Sequence, residues 1–251
     1  MKINILSIST STRIEPTIEF YKKYNWQINR FDNDGKFPSY GRNAILETFY
    51  DSTDEWCCIC DDDITLRDDK NEAQEFMLNT QSLLDRLPKC VSTFAGFNGN
   101  LYPTNRYQER DKHQQHWVFM RDWNLGKIIF VRNTGKRYFQ RTDLDYSEDH
   151  EFMYQQLKDG LWTGRCENIV IRERGRTQLF LAANTKQQDL DRVDARKRTQ
   201  DKIVSLYPNI LKWKNDKIDR TNLYKLADPN IRITLPFTHK QTIYNQLFEE
   251  A

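Results

Sequence analysis

Glu55-Trp56-Cys57-Cys58-Ile59-Cys60-Asp61-Asp62-Asp63-Ile64 is an apolar segment of strand length that stops in three consecutive carboxylates. From Trp56 to Cys60 there is no polar alternation, the pattern of a strand buried on both faces in the middle of an α/β sheet. Open α/β sheets bind their ligands beyond the carboxyl ends of such strands. Three adjacent aspartates repel one another, so a fold that gathers them there calls for a cation. If the strand pleat persists, Asp61 and Asp63 point to one face and Asp62 to the other. Two carboxylates on one face form a hard-oxygen half-site for Mg²⁺ or Mn²⁺, with positions left for water and a substrate's phosphates. The same triplet also suits a solvated acidic turn ahead of a helix, whose N-terminus favours acids.

The chain of 251 residues is long enough to bury a sizeable core. Its 29% charged and 38% hydrophobic residues belong to a soluble globular protein. No apolar run reaches the ~18 residues of a membrane span. The start, Met1-Lys2-Ile3-Asn4-Ile5-Leu6-Ser7-Ile8, reads as a core strand rather than a signal peptide. Five cysteines without CxxC spacing point to reduced thiols and a cytoplasmic location. Cys58 and Cys60 could share a face and bind zinc with Cys90 and Cys166, but buried strand cysteines are the commoner case.

A net charge of +2 conceals a gradient. Glu47 to Glu75 holds eleven acids and two bases, whereas Ile171 to Lys225 holds fourteen bases and seven acids, and Leu101 to Arg141 nine bases and three acids. An acidic pocket beside basic segments suits a metal site serving an anionic ligand.

Around the central strand the chain reads as alternating strands and helices. Lys2 to Thr10 is the first strand, ending in Ser9-Thr10-Ser11-Thr12-Arg13, whose hydroxyls and arginine suit a nucleotide and equally a turn and helix cap. Pro16 opens a helix to Tyr24, and Trp26 to Phe31 forms a second strand. Ser39-Tyr40-Gly41-Arg42-Asn43 leads into a helix with Ala44, Ile45, Phe49 and Tyr50 inward. Further helices are expected from Ala73 to Leu87, after Asp149 up to Gly160, and from Gln187 to Tyr207, the last with Leu190, Val193, Ile203, Val204 and Leu206 inward. Strands are expected over Cys90–Phe97, His113–Trp123, Lys127–Val131, Arg137–Gln140, Leu161–Arg165, Ile169–Ile171 and Ile231–Leu235. No repeat or linker interrupts the chain. The expected organisation is a catalytic region over 1–170 and a basic extension over 171–251, packed on the same domain.

Four features now stand in order: an N-terminal strand with a small polar loop, Arg42-Asn43, the strand into Asp61-Asp62-Asp63, and Glu148-Asp149 at a helix start. From Ile3 to Gly160 this resembles the GT-A fold glycosyltransferases, particularly the family-2-like set, with a DxD motif and a later Glu-Asp pair. The resemblance implies a GT-A-like, Rossmann-type mixed sheet flanked by helices, with a helical, basic C-terminal extension. It implies a nucleotide-sugar donor, a UDP-sugar by preference, held through Mn²⁺ or Mg²⁺. It makes Asp63 a metal ligand and puts Asp61 near the ribose or the metal, Asp62 near the donor sugar, Arg42 near the diphosphate, and Ser9, Thr10 and Arg13 near the nucleotide. Asp149 resembles the base of inverting members, with Glu148 beside it. Helix capping by Ser147 or Asp149 is the structural alternative. His239 matches the late histidine that many GT-A enzymes add to the metal. No QxxRW-type motif is present, which argues against processive polysaccharide synthesis.

The acceptor reading rests on Arg172, Arg174, Arg176, Lys212 and Trp213, which could track a phosphate backbone and stack a base. A small glycosyltransferase without an anchor resembles the phage enzymes that decorate hydroxymethylated DNA bases, so the favoured partner is double-stranded DNA carrying hydroxymethylcytosine. The alternatives are a surface glycan or protein acceptor, a non-catalytic nucleic-acid-binding protein, and a metal-dependent nucleotidyltransferase or nuclease.

Overall fold

A computed structural model describes residues 1–7, 14–33, 38–66, 72–87, 89, 91–95, 117–120, 128–144, 148–166, 171–173, 186–213 and 231–233. In chain order the elements are β1 (Lys2–Ser7), α1 (Ile14–Lys22), β2 (Gln27–Asp32), α2 (Pro38–Tyr50), β3 (Trp56–Asp61), β4 (Ile64–Leu66), α3 (Glu72–Asp85) and β5 (Val91–Ala95). They continue with β6 (Trp117–Met120), β7 (Ile128–Arg132), α4 (Glu148–Lys158), β8 (Trp162–Cys166), β9 (Ile171–Glu173), α5 (Lys186–Leu206), β10 (Leu211–Trp213) and β11 (Ile231–Ile233).

Seven strands form one mixed sheet in the order β2-β1-β3-β7-β5-β8-β6. β1 runs parallel to β2 and β3, and β5 parallel to β8, while β7 opposes both its neighbours and β6 opposes β8. β3 lies centrally, as its unbroken apolar run requires, because a strand covered on both faces has no side left for water. Its alternate side chains feed two cores. Trp56, Cys58 and Cys60 join Ile3, Ile5 and Phe130 under Tyr21 of α1 and Phe76, Leu83 and Leu84 of α3. Cys57 and Ile59 join Leu6, Ile129 and Val131 under Ile45, Leu46 and Phe49 of α2 and Phe152, Met153 and Leu157 of α4. The expected mixed α/β sheet flanked by helices is therefore the architecture of the chain. Ile203, Tyr207, Ile210 and Leu211 also enter the second core, so the end of α5 packs on the same face as α2 and α4. β4 pairs antiparallel with β9, and β10 with β11. No helix among the described residues is long and apolar enough to cross a membrane.

Several elements depart from the sequence expectation. α2 begins at Pro38, so Arg42 and Asn43 already lie inside the helix, and Leu46 rather than the exposed Ala44 completes its buried stripe. Arg137 to Gln140 does not return as a strand, because side chains of α2 take up its backbone groups. Asn43 Nδ2 donates to the Gln140 carbonyl at 2.7 Å and Gln140 N donates to Asn43 Oδ1 at 2.8 Å. Tyr50 repeats the arrangement about two turns on, its hydroxyl donating to the Tyr138 carbonyl at 3.3 Å and accepting from Tyr138 N at 3.2 Å. On α5 the expected inward Leu206 is 38% exposed, and Tyr207, just past the helix end, is buried instead. Gly160 ends α4 with φ at 81°, the left-handed conformation that glycine adopts freely at a helix C-terminus.

Candidate active site

β3 and β1 run side by side and end together, with Asp61 paired to Leu6. The pleat stops at Asp61. Asp62 and Asp63 form the turn into β4, so strand alternation does not extend to Asp63 as expected. Asp62 and Asp63 are both buried, at 6% and 8% exposure, whereas Asp61 is partly open. The turn is tied to α1, because Thr17 Oγ1 donates to the Asp62 carbonyl at 2.8 Å.

Arg42 reaches this turn from α2. Its Nη2 lies 3.0 Å from Asp61 Oδ1 and its Nη1 3.6 Å from Glu148 Oε1. One guanidinium thus joins Asp61 to Glu148, residues 87 positions apart in the chain. Burial alone would lower its pKa, but Asp61, then Glu148 and Asp149, outweigh that and hold it above the usual arginine value. Glu148 is pushed the other way. Burial raises its carboxyl pKa, the neighbouring Asp149 raises it further, and Arg42 offsets part of the rise. Asp149 Oδ1 accepts from His150 N at 2.8 Å, a contact that fixes its carboxylate at the first turn of α4. α4 opens at Glu148, so Asp149 lies inside the helix rather than at its N-cap.

Two local features place Arg42. The first is Gly41, where an added Cβ would stand 2.3 Å from Leu6 Cδ1 and 2.8 Å from Asn33 Oδ1. The side chains of Leu6 and Asn33 therefore occupy the space over Gly41 and would have to move for any larger residue. The second is the run of Asn43 and Tyr50 contacts, which lays residues 138–140 along α2 before the chain enters α4. Arg137 adds an exposed ion pair to Asp51 at 2.5 Å. These contacts explain how Glu148 comes within reach of Arg42.

Sequence reasoning named Arg42, Asp61, Glu148 and Asp149, and the structure brings these four together. It gave Gly41, Asn43 and Tyr50 no part in positioning them. A glycine inside a helical pattern was the available signal of close approach. Ser9, Thr10, Arg13, Arg174, Arg176 and His239 lie outside the described residues. Arg172 sits in β9 opposite Thr65, while Lys212 and Trp213 sit in β10 opposite Arg232 and Ile231. Cys57, Cys58 and Cys60 are buried free thiols, and burial lifts the pKa of Cys57 to about 12, which leaves it unreactive. Cys90, the other zinc candidate outside β3 and β8, lies beyond the described residues.

Among the described residues no three His, Cys, Asp or Glu side chains are grouped to hold a metal by themselves. The donor chemistry of Asp61 and Asp63 still fits a divalent cation whose remaining ligands are water and a substrate's phosphate oxygens.

No family model and no curated protein sequence matches the chain. Among solved structures it is similar to A197 from STIV, at 14% identity and a TM-score of 0.44, over 68% of this chain and 84% of that one. It is also similar to residues 1–349 of TarS from S. aureus, at 13% identity and a TM-score of 0.38, over 66% and 58% of the two chains. A glycosyltransferase involved in the glycosylation of the major capsid of PBCV-1 matches at 13% identity and a TM-score of 0.30, over 53% and 60%. These scores are low, and the chemistry of the site rests on its own geometry.

Proposed function

We propose that the protein is a glycosyltransferase that moves a sugar from a nucleotide-sugar, a UDP-sugar by preference, to a hydroxyl acceptor. The observation that carries this reading is the Arg42 bridge, which sets Asp61 and Glu148 around one cation at the carboxyl end of β3. A leaving diphosphate gains negative charge as the bond to the anomeric carbon breaks, and fixed charges in a shielded site stabilise it. Arg42 supplies one such charge. Asp61 and Asp63 would hold Mn²⁺ or Mg²⁺, which when bound acts as a Lewis acid on the phosphates.

On this reading the acceptor oxygen forms a bond to the anomeric carbon while the carbon–oxygen bond to the diphosphate breaks, and the electron pair leaves with the diphosphate. The acceptor proton passes to the Asp149 carboxylate. A carboxylate in this role must be ionised and within hydrogen-bond reach of the hydroxyl. Glu148, held by Arg42, stands beside Asp149 in the first turn of α4. Attack from the face opposite the leaving group inverts the anomeric configuration. The favoured acceptor is hydroxymethylated cytosine extruded from duplex DNA, which the basic and aromatic residues after Ile171 support by composition. His239 belongs to the same proposal as a further metal ligand.

The test is release of nucleoside diphosphate from a panel of nucleotide-sugars, with Mn²⁺ or EDTA, and with plain or hydroxymethylcytosine DNA. Metal-dependent release stimulated by modified DNA and abolished in Asp63→Ala supports reaction and acceptor together. Release indifferent to DNA keeps the reaction and removes the acceptor. DNA binding without release from any donor would favour a binding protein instead, and strand cleavage would favour a nuclease.

A further inference from the structure

α4 carries a third acid, which the proposed chemistry does not use. Glu151 is 1% exposed. Its Oε1 accepts a hydrogen bond from the Tyr207 hydroxyl, and its Oε2 accepts from Gln155 Nε2 at 2.8 Å. Gln155 Nε2 also donates to the Phe139 carbonyl at 2.7 Å. The rings of Tyr154 and Tyr207 lie 6.1 Å apart, adding an apolar contact at the same joint. Tyr207 itself is held by backbone bonds from its N–H to the carbonyls of Ile203 and Val204, and its own carbonyl accepts from Leu211 N at 2.9 Å.

One turn earlier on α5, Lys202 Nζ lies 2.6 Å from Asp143 Oδ2 and 3.3 Å from the Asp143 carbonyl. Arg141 grips the same carboxylate through two bonds, at 2.8 and 2.6 Å. Glu148 and Asp149 therefore lie between two points, Asp143 and Glu151, each fastened to the end of α5. The two fastenings differ in weight. Lys202 and Asp143 are both more than 40% exposed, and such surface pairs contribute little. The Tyr207–Glu151 bond is buried, and a buried polar group left without its partner is costly.

We propose that the end of α5, through Tyr207 chiefly and Lys202 secondarily, positions the Glu148–Asp149 turn of α4. Tyr207 is a positioning residue, acting through Glu151 and touching neither donor nor acceptor. This assigns the C-terminal segment a task in the catalytic region itself, apart from any acceptor binding. It rests on the reading of Asp149 as the base, and its structural half stands on its own.

The test compares Tyr207→Phe, Glu151→Gln and Glu151→Leu in the full chain. Amides of Phe152, Met153 and Tyr154, which bond to the carbonyls of Glu148 to His150 in the first turn of α4, are followed by hydrogen exchange. Steady-state release of nucleoside diphosphate is measured alongside. Tyr207→Phe and Glu151→Leu should speed exchange at those amides about tenfold while β3 amides keep their protection. They should lower kcat about tenfold or more with the donor KM within about twofold, as a displaced base would. Glu151→Gln keeps an acceptor for the tyrosine and should preserve both readouts. Unchanged exchange in Tyr207→Phe overturns the proposal, as does faster exchange with unchanged kcat, or a loss confined to KM. If the wild type turns over no donor, the glycosyltransferase reading fails by itself. The exchange arm then decides whether the end of α5 holds this turn.

Discussion

Asp149→Asn separates catalysis from capping at a single side chain. An asparagine still accepts the hydrogen bond from His150 N but cannot take a proton. General-base catalysis contributes about 10²–10⁴-fold, so kcat should fall by that order while the thermal midpoint and donor affinity hold. Loss of stability with retained turnover would return Asp149 to a structural role. Glu151 supplies a second residue-scale prediction, in pH. Burial raises its carboxyl pKa above the ordinary glutamate value, while Tyr207 and Gln155 pull it back in part. A group with a raised folded pKa contributes stability that is complete below the unfolded value and lost as pH rises through the folded one. Glu151→Gln has no such loss, so its melting temperature should match wild type near about pH 4 and exceed it at about pH 7.5. A gap that narrowed with rising pH would contradict the assignment. At this scale Arg42, Asp61, Glu148 and Asp149 were singled out by the motif resemblance, and the structure sets Arg42 beside Asp61 and Glu148. Tyr207 was not, since nothing local marks a tyrosine as the partner of an acid 56 positions away.

Between elements, the close approach of α2 to β1 and the lacing of residues 138–140 along α2 are what deliver the site. Gly41→Ala forces a methyl into Leu6 and Asn33, and overpacking of this kind costs about 1–3 kcal/mol. Denaturant midpoints should fall accordingly, and activity should fall further than stability, because Arg42 moves with the helix. Asn43→Ala leaves the Gln140 N–H and carbonyl without their partners. Unsatisfied buried groups cost about 1–3 kcal/mol each, and the effect should appear as faster hydrogen exchange at Gln140 with little change at β3. Element positions followed from apolar periodicity for β1, β3, β7 and α4. The Arg137–Gln140 segment misled because alternation looks the same whether backbone groups bond to a strand or to the side chains of a helix.

For the whole molecule, the proposed function makes stability depend on ligand. A ligand that binds only the native state at about one hundred times its Kd adds about 2.7 kcal/mol. At roughly 2–4 °C per kcal/mol for a chain of this size, the melting temperature should rise by about 5–10 °C. UDP with Mn²⁺ should produce that rise, UDP with EDTA much less, and Asp63→Ala none. Equal shifts with and without the metal would remove the cation from the site. By itself the sequence determined the buried central strand, the mixed α/β class and the acidic end of β3, because burial period and charge runs are local properties of the chain. Only the tertiary structure decided that Arg42 bridges Asp61 and Glu148, that the pleat ends before Asp63, and that the end of α5 grips α4. Each of those depends on how closely two distant segments approach. That distance is set by a missing Cβ at Gly41, by backbone groups seeking partners along α2, and by a buried acid that needed a hydroxyl.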